Sequence, residues 1–213
     1  MAKQKKVWNC QECGHQSSKW IGQCPSCKEW NTFVEETIIP PSSRNLMMQI
    51  EPSKPVPLVN VEIEKYPRLQ TNIGEFDRLI GGGIVPGSLI LVGGDPGIGK
   101  STLMLQVSDQ LAQQDCDVLY VCAEESTTQT SLRAKRLNIK SKNIMLYNEN
   151  NFSLIQQEIE NLKPQIIVAD SIQILYNPQI PSAPGSVTQV RETATEFMHI
   201  AKRNNIAIFL IGH

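Results

Sequence analysis

Apolar positions in the later part of the chain follow two alternating rhythms. Unbroken runs occur at Leu89–Val92, Val118–Cys122, Ile144–Tyr147, Ile166–Ala169 and Ile206–Ile211. Their length and branched side chains predict strands buried on both faces. Between them the apolar spacing lengthens to the period of a helix. Residues 100–113 place Leu103, Val107 and Leu111 on one face, and 128–137 forms a further helix. Residues 152–162 align Ile155, Ile159 and Leu162, and 187–204 carry Val187, Val190, Ala194, Phe197 and Ala201 in one stripe. Strand then helix, repeated, predicts an α/β fold: a parallel sheet with helices on both faces.

The first third of the chain reads differently. Residues 1–34 form a compact module rich in cysteine and tryptophan. Residues 35–65, with Pro40, Pro41, Pro52, Pro55 and Pro57 and no sustained period, read as a proline-rich linker. Residues 66–213 hold the alternating pattern. The 213 residues thus suffice for one α/β domain and a small module.

Charge changes this picture little. The formal net charge is −1, so any surface for nucleic acid must be local. No apolar run approaches the length of a membrane span. The start, Met1-Ala2-Lys3-Gln4-Lys5-Lys6, has no apolar stretch behind it and is not a secretory signal. The expected setting is the cytoplasm.

Cysteine spacing changes it more. Cys10 and Cys13 are followed, after ten residues, by Cys24 and Cys27. Two Cys-x-x-Cys turns aim four sulfurs at one point, the ligand set of a structural zinc site. Gly14 and Pro25 suit the tight turns. So small a module cannot bury enough apolar area to fold alone, and Zn²⁺ would supply the missing energy. With four protein ligands no water position is open, so the role is structural; iron takes the same ligands. Trp8, Trp20 and Trp30 are expected to wall this tiny core. Lys3, Lys5, Lys6, Lys19 and Lys28 either offset the thiolate charge or contact a nucleic-acid strand. Cys116 and Cys122 stand apart and read as small core residues.

Residues 94–102, Gly94-Asp95-Pro96-Gly97-Ile98-Gly99-Lys100-Ser101-Thr102, fit the phosphate-loop pattern G-x-x-x-x-G-K-[ST]. The strand Leu89–Val92 enters the loop and a helix leaves it. Backbone N–H groups and the helix N-terminus would cradle the phosphates of ATP. Lys100 reaches the outer phosphates, and the Ser101 hydroxyl takes a place on Mg²⁺. The run Ile166–Ala169 ends in Asp170, 70 residues after Lys100, in the Walker B form; Asp170 would hold Mg²⁺ through water. Val118–Cys122 leads, after Ala123, to Glu124 and Glu125, on the ligand side of an open α/β sheet. Glu124 is favoured over Glu125 as the group that activates water, Ser126 and Thr127 being helix-capping residues. His213, after the last strand, is either a γ-phosphate sensor or a frayed end.

These segments together resemble one family. The four-cysteine finger followed by Trp30-Asn31-Thr32-Phe33, then Ile73-Gly74-Glu75-Phe76-Asp77-Arg78-Leu79, then Gly81-Gly82-Gly83-Ile84-Val85-Pro86-Gly87-Ser88 and the phosphate loop, are similar to bacterial RadA (Sms). Ala123-Glu124-Glu125-Ser126, Asp170-Ser171-Ile172-Gln173 and Ser182-Ala183-Pro184-Gly185-Ser186-Val187 agree. The resemblance implies a RecA-like core and a DNA-dependent, helicase-like ATPase acting by branch migration on recombination intermediates. It implies catalytic Lys100, Glu124 and Asp170, and ATP, Mg²⁺ and Zn²⁺ as cofactors. Implied partners are single-stranded or branched DNA, further copies in a hexameric ring, and a recombinase. It also places a DNA-contacting loop at 176–186, with an ordinary surface loop as the alternative. Family members continue beyond this point with a second DNA-facing loop, a Lys-Asn-Arg-Phe-Gly motif and a Lon-like domain. The RecA-like core of this 213-residue chain is therefore expected to be truncated and to turn over little ATP, the alternative being a zinc- and nucleotide-binding fragment without activity. A small-molecule kinase is disfavoured by the zinc module and the paired acids.

Overall fold

The computed structural model describes residues 5–38, 55, 57–60, 68–180 and 182–213. Most of the proline-rich segment lies outside them. The chain forms two compact units, Met1–Tyr66 and Pro67–His213.

In the first unit, β1 (Lys5–Cys10) pairs antiparallel with β2 (Gln16–Ser17) and with β3 (Phe33–Ile38). Cys10 faces Phe33 across the β1–β3 ladder. Cys10, Cys24 and Phe33 form the buried centre, with Trp8, Ile21 and Cys27 against it. β3 runs to Ile38, into the segment that composition alone marks as linker.

The second unit begins with a short helix, α1 (Gly74–Leu79). Asp77 accepts hydrogen bonds from the Thr71 backbone N–H and hydroxyl, which ties α1 to the segment before it. Then come β4 (Leu89–Val92), α2 (Lys100–Ala112), β5 (Val118–Cys122), α3 (Thr127–Arg136), β6 (Ile144–Tyr147), α4 (Phe152–Leu162), β7 (Ile166–Asp170), α5 (Val187–Asn204) and β8 (Ala207–Ile211). The five strands of this unit form a parallel sheet in the order β4-β8-β7-β5-β6. All five carboxyl ends therefore share one side, and β8 separates β4 from β7.

Each strand alternates its side chains between two apolar layers. Val118, Tyr120, Cys122, Ile166, Val168 and Phe209 meet Met104, Leu105, Val107 and Leu111 of α2. Leu119, Val121, Ile167, Ala169, Ile208 and Leu210 meet α4 and α5 through Phe152, Ile155, Ile159, Phe197 and Ile200. Phe152 and Phe197 pack edge to face, their centroids 5.0 Å apart. Both layers are needed because every residue of β5 and β8 is buried. Cys116 and Cys122 lie in this core; burial, first, and nearby carboxylates push both thiols up.

Helix α5 departs from its predicted stripe. Its first two turns bury Gln189 and Thr193, while Val187, Val190 and Ala194 are only partly covered. A stripe of apolar residues misses a buried glutamine. Gln189 is buried because its amide is satisfied by the loop before the helix. Its Nε2 donates to the carbonyls of Asn177, Ile180 and Ser182 at 3.2, 3.2 and 3.0 Å, and its Oε1 accepts from the Asn177 N–H at 2.9 Å.

Candidate functional site

The four-cysteine module is built as one turn used twice. The Cys10 N–H donates to the His15 carbonyl and the Cys10 carbonyl accepts from the Gly14 N–H, both at 2.9 Å. Fourteen residues later the Cys24 N–H donates to Glu29 and its carbonyl accepts from Lys28, again at 2.9 Å. The fifth residue of each turn takes a left-handed backbone, Gly14 at φ 73° and Lys28 at φ 65°. The sulfurs of Cys10, Cys13, Cys24 and Cys27 lie within 4.8 Å of one another. Ligands about 2.3 Å from a central ion in a tetrahedron have this spacing, so the donors fit Zn²⁺. Burial pushes the Cys10 thiol up, but hydrogen bonds from Thr32 and the Cys13 and Glu12 backbone outweigh it and hold it at about 6. The Glu29 N–H lowers the Cys27 thiol, while burial and the three neighbouring sulfurs push it up to about 12. Four thiolates in one place repel; a divalent cation among them removes that conflict.

Tryptophan placement corrects the expectation that all three wall this core. Trp8 is partly buried against it, but Trp20 and Trp30 are 51% and 66% exposed. Both indoles lie over Gly22, about 3.5 Å from where a Cβ would stand. The sulfur cluster, Phe33 and Trp8 fill the available volume, leaving these two outside. Lys19 and Lys28 are exposed beside them; the side chains of Lys5 and Lys6, and all of Lys3, lie outside the described residues.

In the second unit, the loop 93–99 is exposed at the carboxyl end of β4. Gly99 is the N-cap of α2 with φ 102° and offers no side-chain cap, so the first N–H groups of the helix are open to a ligand. A side chain at Gly99 or at Gly97 (φ 82°) would be strained by the backbone alone, since neither Cβ position meets an atom within 4 Å. Lys100 folds back: its Nζ donates to the Gly94 and Asp95 carbonyls at 2.6 and 2.9 Å. Ser101 and Thr102 follow in the first turn of α2. Asp95, Pro96 and Ile98 are exposed in the loop.

Asp170 is the last residue of β7, two strands from β4 and so about 10 Å across the sheet. Its carbonyl accepts from the Ala123 and Glu124 N–H groups at 2.8 and 3.2 Å, which draws the end of β5 to the end of β7. Its carboxylate accepts from the Tyr120 hydroxyl at 2.9 Å. The adjacent acids separate sharply. Arg133 Nη2 pairs with Glu125 Oε1 at 2.5 Å, both partly buried. Glu124 is exposed and, among the described residues, its carboxylate has no partner. Asn148, just after β6, donates to the Cys122 and Glu125 carbonyls at 2.8 and 3.0 Å and fixes the turn that carries both acids. Ser126 caps α3 in a reciprocal box with Gln129. His213 is exposed; its carbonyl accepts from Gln173 Nε2 at 2.8 Å, and the Gly212 N–H donates to the Val92 carbonyl at 3.0 Å. The loop 176–186, of which Pro181 lies outside the described residues, is pinned by Gln189.

Tyr120, Arg133, Asn148 and Gln189 are absent from the sequence-based site. Asn148 is reachable by rule, since it follows a strand at the carboxyl side of the sheet. The others lie within an apolar run or on helices and carry no local signal.

A parallel sheet in this order, with a phosphate loop at β4 and acids at the ends of β5 and β7, defines a RecA-like P-loop ATPase domain. Ahead of it stands a four-cysteine zinc ribbon. Residues 69–156 match the ATPase family model described as KaiC, and residues 8–35 match the family described as rubredoxin metal binding domain. The chain is 54% identical over 209 residues to the DNA repair protein RadA of Chlamydia trachomatis serovar D, covering 98% of this chain and 46% of that protein. It is 51% identical over 214 residues to the RadA protein of Streptococcus pyogenes serotype M6, covering all of this chain and 47% of the relative. The chain belongs to the RadA family and corresponds to its N-terminal portion. It spans about half the length of the relatives it matches. Among the described residues no helix is long and apolar enough to cross a membrane.

Proposed function

We propose that this chain is the zinc-ribbon and ATPase portion of a cytoplasmic DNA-repair ATPase that hydrolyses ATP in response to DNA. The carrying observation is the convergence at the carboxyl ends of β4, β5 and β7. The open loop with Lys100, the exposed Glu124 and the tethered Asp170 face one side of the sheet, two of them joined through the Asp170 carbonyl.

In this reading Lys100 leaves the Gly94 and Asp95 carbonyls for the outer phosphates of ATP. The backbone N–H groups of 97–102 and the dipole of α2 hold the remaining charge. Ser101 and Asp170 hold Mg²⁺, which supplies charge neutralisation at the phosphates when bound. Glu124 orients and deprotonates the attacking water, while Arg133 keeps Glu125 out of that role. His213, two residues after β8, registers the γ-phosphate in this reading.

The loop 176–186, which lies between β7 and α5, is assigned to DNA. The relatives are DNA repair proteins by name, and that supports DNA as the partner; in this reading the substrates are branched or single-stranded recombination intermediates. A hexameric ring, branch migration and a recombinase partner belong to the same reading. The test is ATP hydrolysis with and without single-stranded DNA, beside Lys100→Ala. In full-length relatives, DNA-stimulated turnover that disappears in the variant is expected, with little turnover by the 213-residue chain alone; turnover unchanged by Lys100→Ala would overturn the assignment.

A further inference from the structure

We propose that Tyr120 is a positioning residue for the divalent cation: its hydroxyl fixes the Asp170 carboxylate so that one oxygen, Oδ1, is presented to the hydrated metal. The proposal rests on the reading of Asp170 as a cation-holding acid.

The geometry comes from the register of the sheet. β5 and β7 pair with Cys122 opposite Asp170 and Tyr120 opposite Val168. Partners in a parallel ladder point to the same face, so Tyr120 lies one pleat behind Asp170 on the adjacent strand, on the face covered by α2. A phenol is long enough to span that diagonal, and Oη meets Oδ2 at 2.9 Å. Among the described residues this is the only hydrogen bond to the Asp170 side chain. Oδ1 is thus left as the free acceptor, and the helix on that face is the one that begins with Lys100 and Ser101.

Tyr120 is 1% exposed. A free carboxylate at a strand end turns about its last torsion, and a two-fold rotor presents either oxygen. One charge-assisted hydrogen bond from a side chain itself locked in the core removes that freedom. A phenylalanine would fill the same volume in the apolar layer, so the hydroxyl is what the site needs from this position.

The test titrates Mg²⁺ against binding of a fluorescent ATP analogue to the 213-residue chain, for the unsubstituted protein, Tyr120→Phe and Asp170→Asn. Tyr120→Phe is expected to raise the half-saturating Mg²⁺ concentration three- to tenfold, with analogue binding in chelator and far-UV circular dichroism unchanged. A purely structural phenol would leave the Mg²⁺ midpoint where it was. That result, alongside a lost Mg²⁺ response in Asp170→Asn, overturns the proposal while sparing the reading of Asp170. A normal Mg²⁺ response in Asp170→Asn sinks that reading and the proposal with it, as does failure of the unsubstituted chain to bind the analogue. If Tyr120→Phe does not fold, a difluorotyrosine at 120, which keeps shape but sharpens the donor, replaces it. A moved Mg²⁺ midpoint then supports the proposal and an unmoved one overturns it.

Discussion

Arg133 grips Glu125, Nη2 to Oε1 at 2.5 Å, while the neighbouring Glu124 has no side-chain partner among the described residues. Two adjacent acids of equal chemistry thereby have different surroundings. Glu124→Gln is expected to reduce ATP hydrolysis 100- to 10,000-fold, the usual contribution of a general base. Nucleotide binding should survive, since the loss falls on the chemical step. Glu125→Gln should reduce turnover far less and should lower thermal stability by releasing Arg133. Single-turnover hydrolysis beside equilibrium nucleotide binding separates the two.

Lys100 is held by two carbonyls of its own loop. Removing its ammonium therefore frees the Gly94 and Asp95 carbonyls as well as depriving the phosphates of a charge. Lys100→Ala is expected to weaken ATP binding by about 3 kcal/mol, roughly 100-fold, as for a charge-assisted contact in a partly desolvated loop. Titration with a fluorescent analogue measures this. An unchanged affinity would show that Lys100 does not reach the phosphates.

Lys28 occupies the turn position that Gly14 fills in the first turn, at φ 65°. A side chain in this region costs about 1 kcal/mol. Lys28→Gly is thus expected to stabilise the ribbon by about 0.5–1 kcal/mol, read as a higher chelator concentration at half unfolding. Chelation itself should unfold the first unit and alter the emission of Trp8, which packs against the cysteine cluster, while the ATPase unit keeps its circular dichroism.

Gln189 carries four hydrogen bonds to the loop 176–186. Gln189→Ala leaves the Asn177 N–H and three carbonyls to find water. The loop should open more readily, by about 1–3 kcal/mol for local opening. Hydrogen exchange at Asn177 should accelerate by roughly 5- to 150-fold. If the loop contacts DNA, stimulation by DNA should fall more than basal hydrolysis.

Much of this architecture is legible in the residues. The runs that become β4 to β8 are apolar without alternation, and only a sheet covered on both faces buries such strands. Lys100, Ser101 and Asp170 announce themselves because their motifs sit at strand ends. Trp20 and Trp30 were hidden by the assumption that large aromatics go inside; the ribbon has no volume left for them once Trp8 and Phe33 are placed. Gln189 was hidden by the converse assumption, that polar side chains stay out. Its partners are backbone carbonyls, which every sequence has and no sequence displays. The difference between Glu124 and Glu125 comes from Arg133, two turns along α3, which pairs with Glu125 alone, a relationship of side-chain direction rather than of spacing.

The central place of β8 also governs how the protein is made. Leu89 pairs with Ile208, more than a hundred positions later, and Ile166 with Ala207. During synthesis β5, β6 and β7 emerge in time to pair with one another, but β4 cannot join them until residues 207–211 leave the ribosome. Until then the strand that carries the phosphate loop has no lateral neighbour among the described strands. Until residues 207–211 emerge, the nascent protein is therefore unable to assemble its nucleotide site, with the flanks of β4 and β7 open to chaperones.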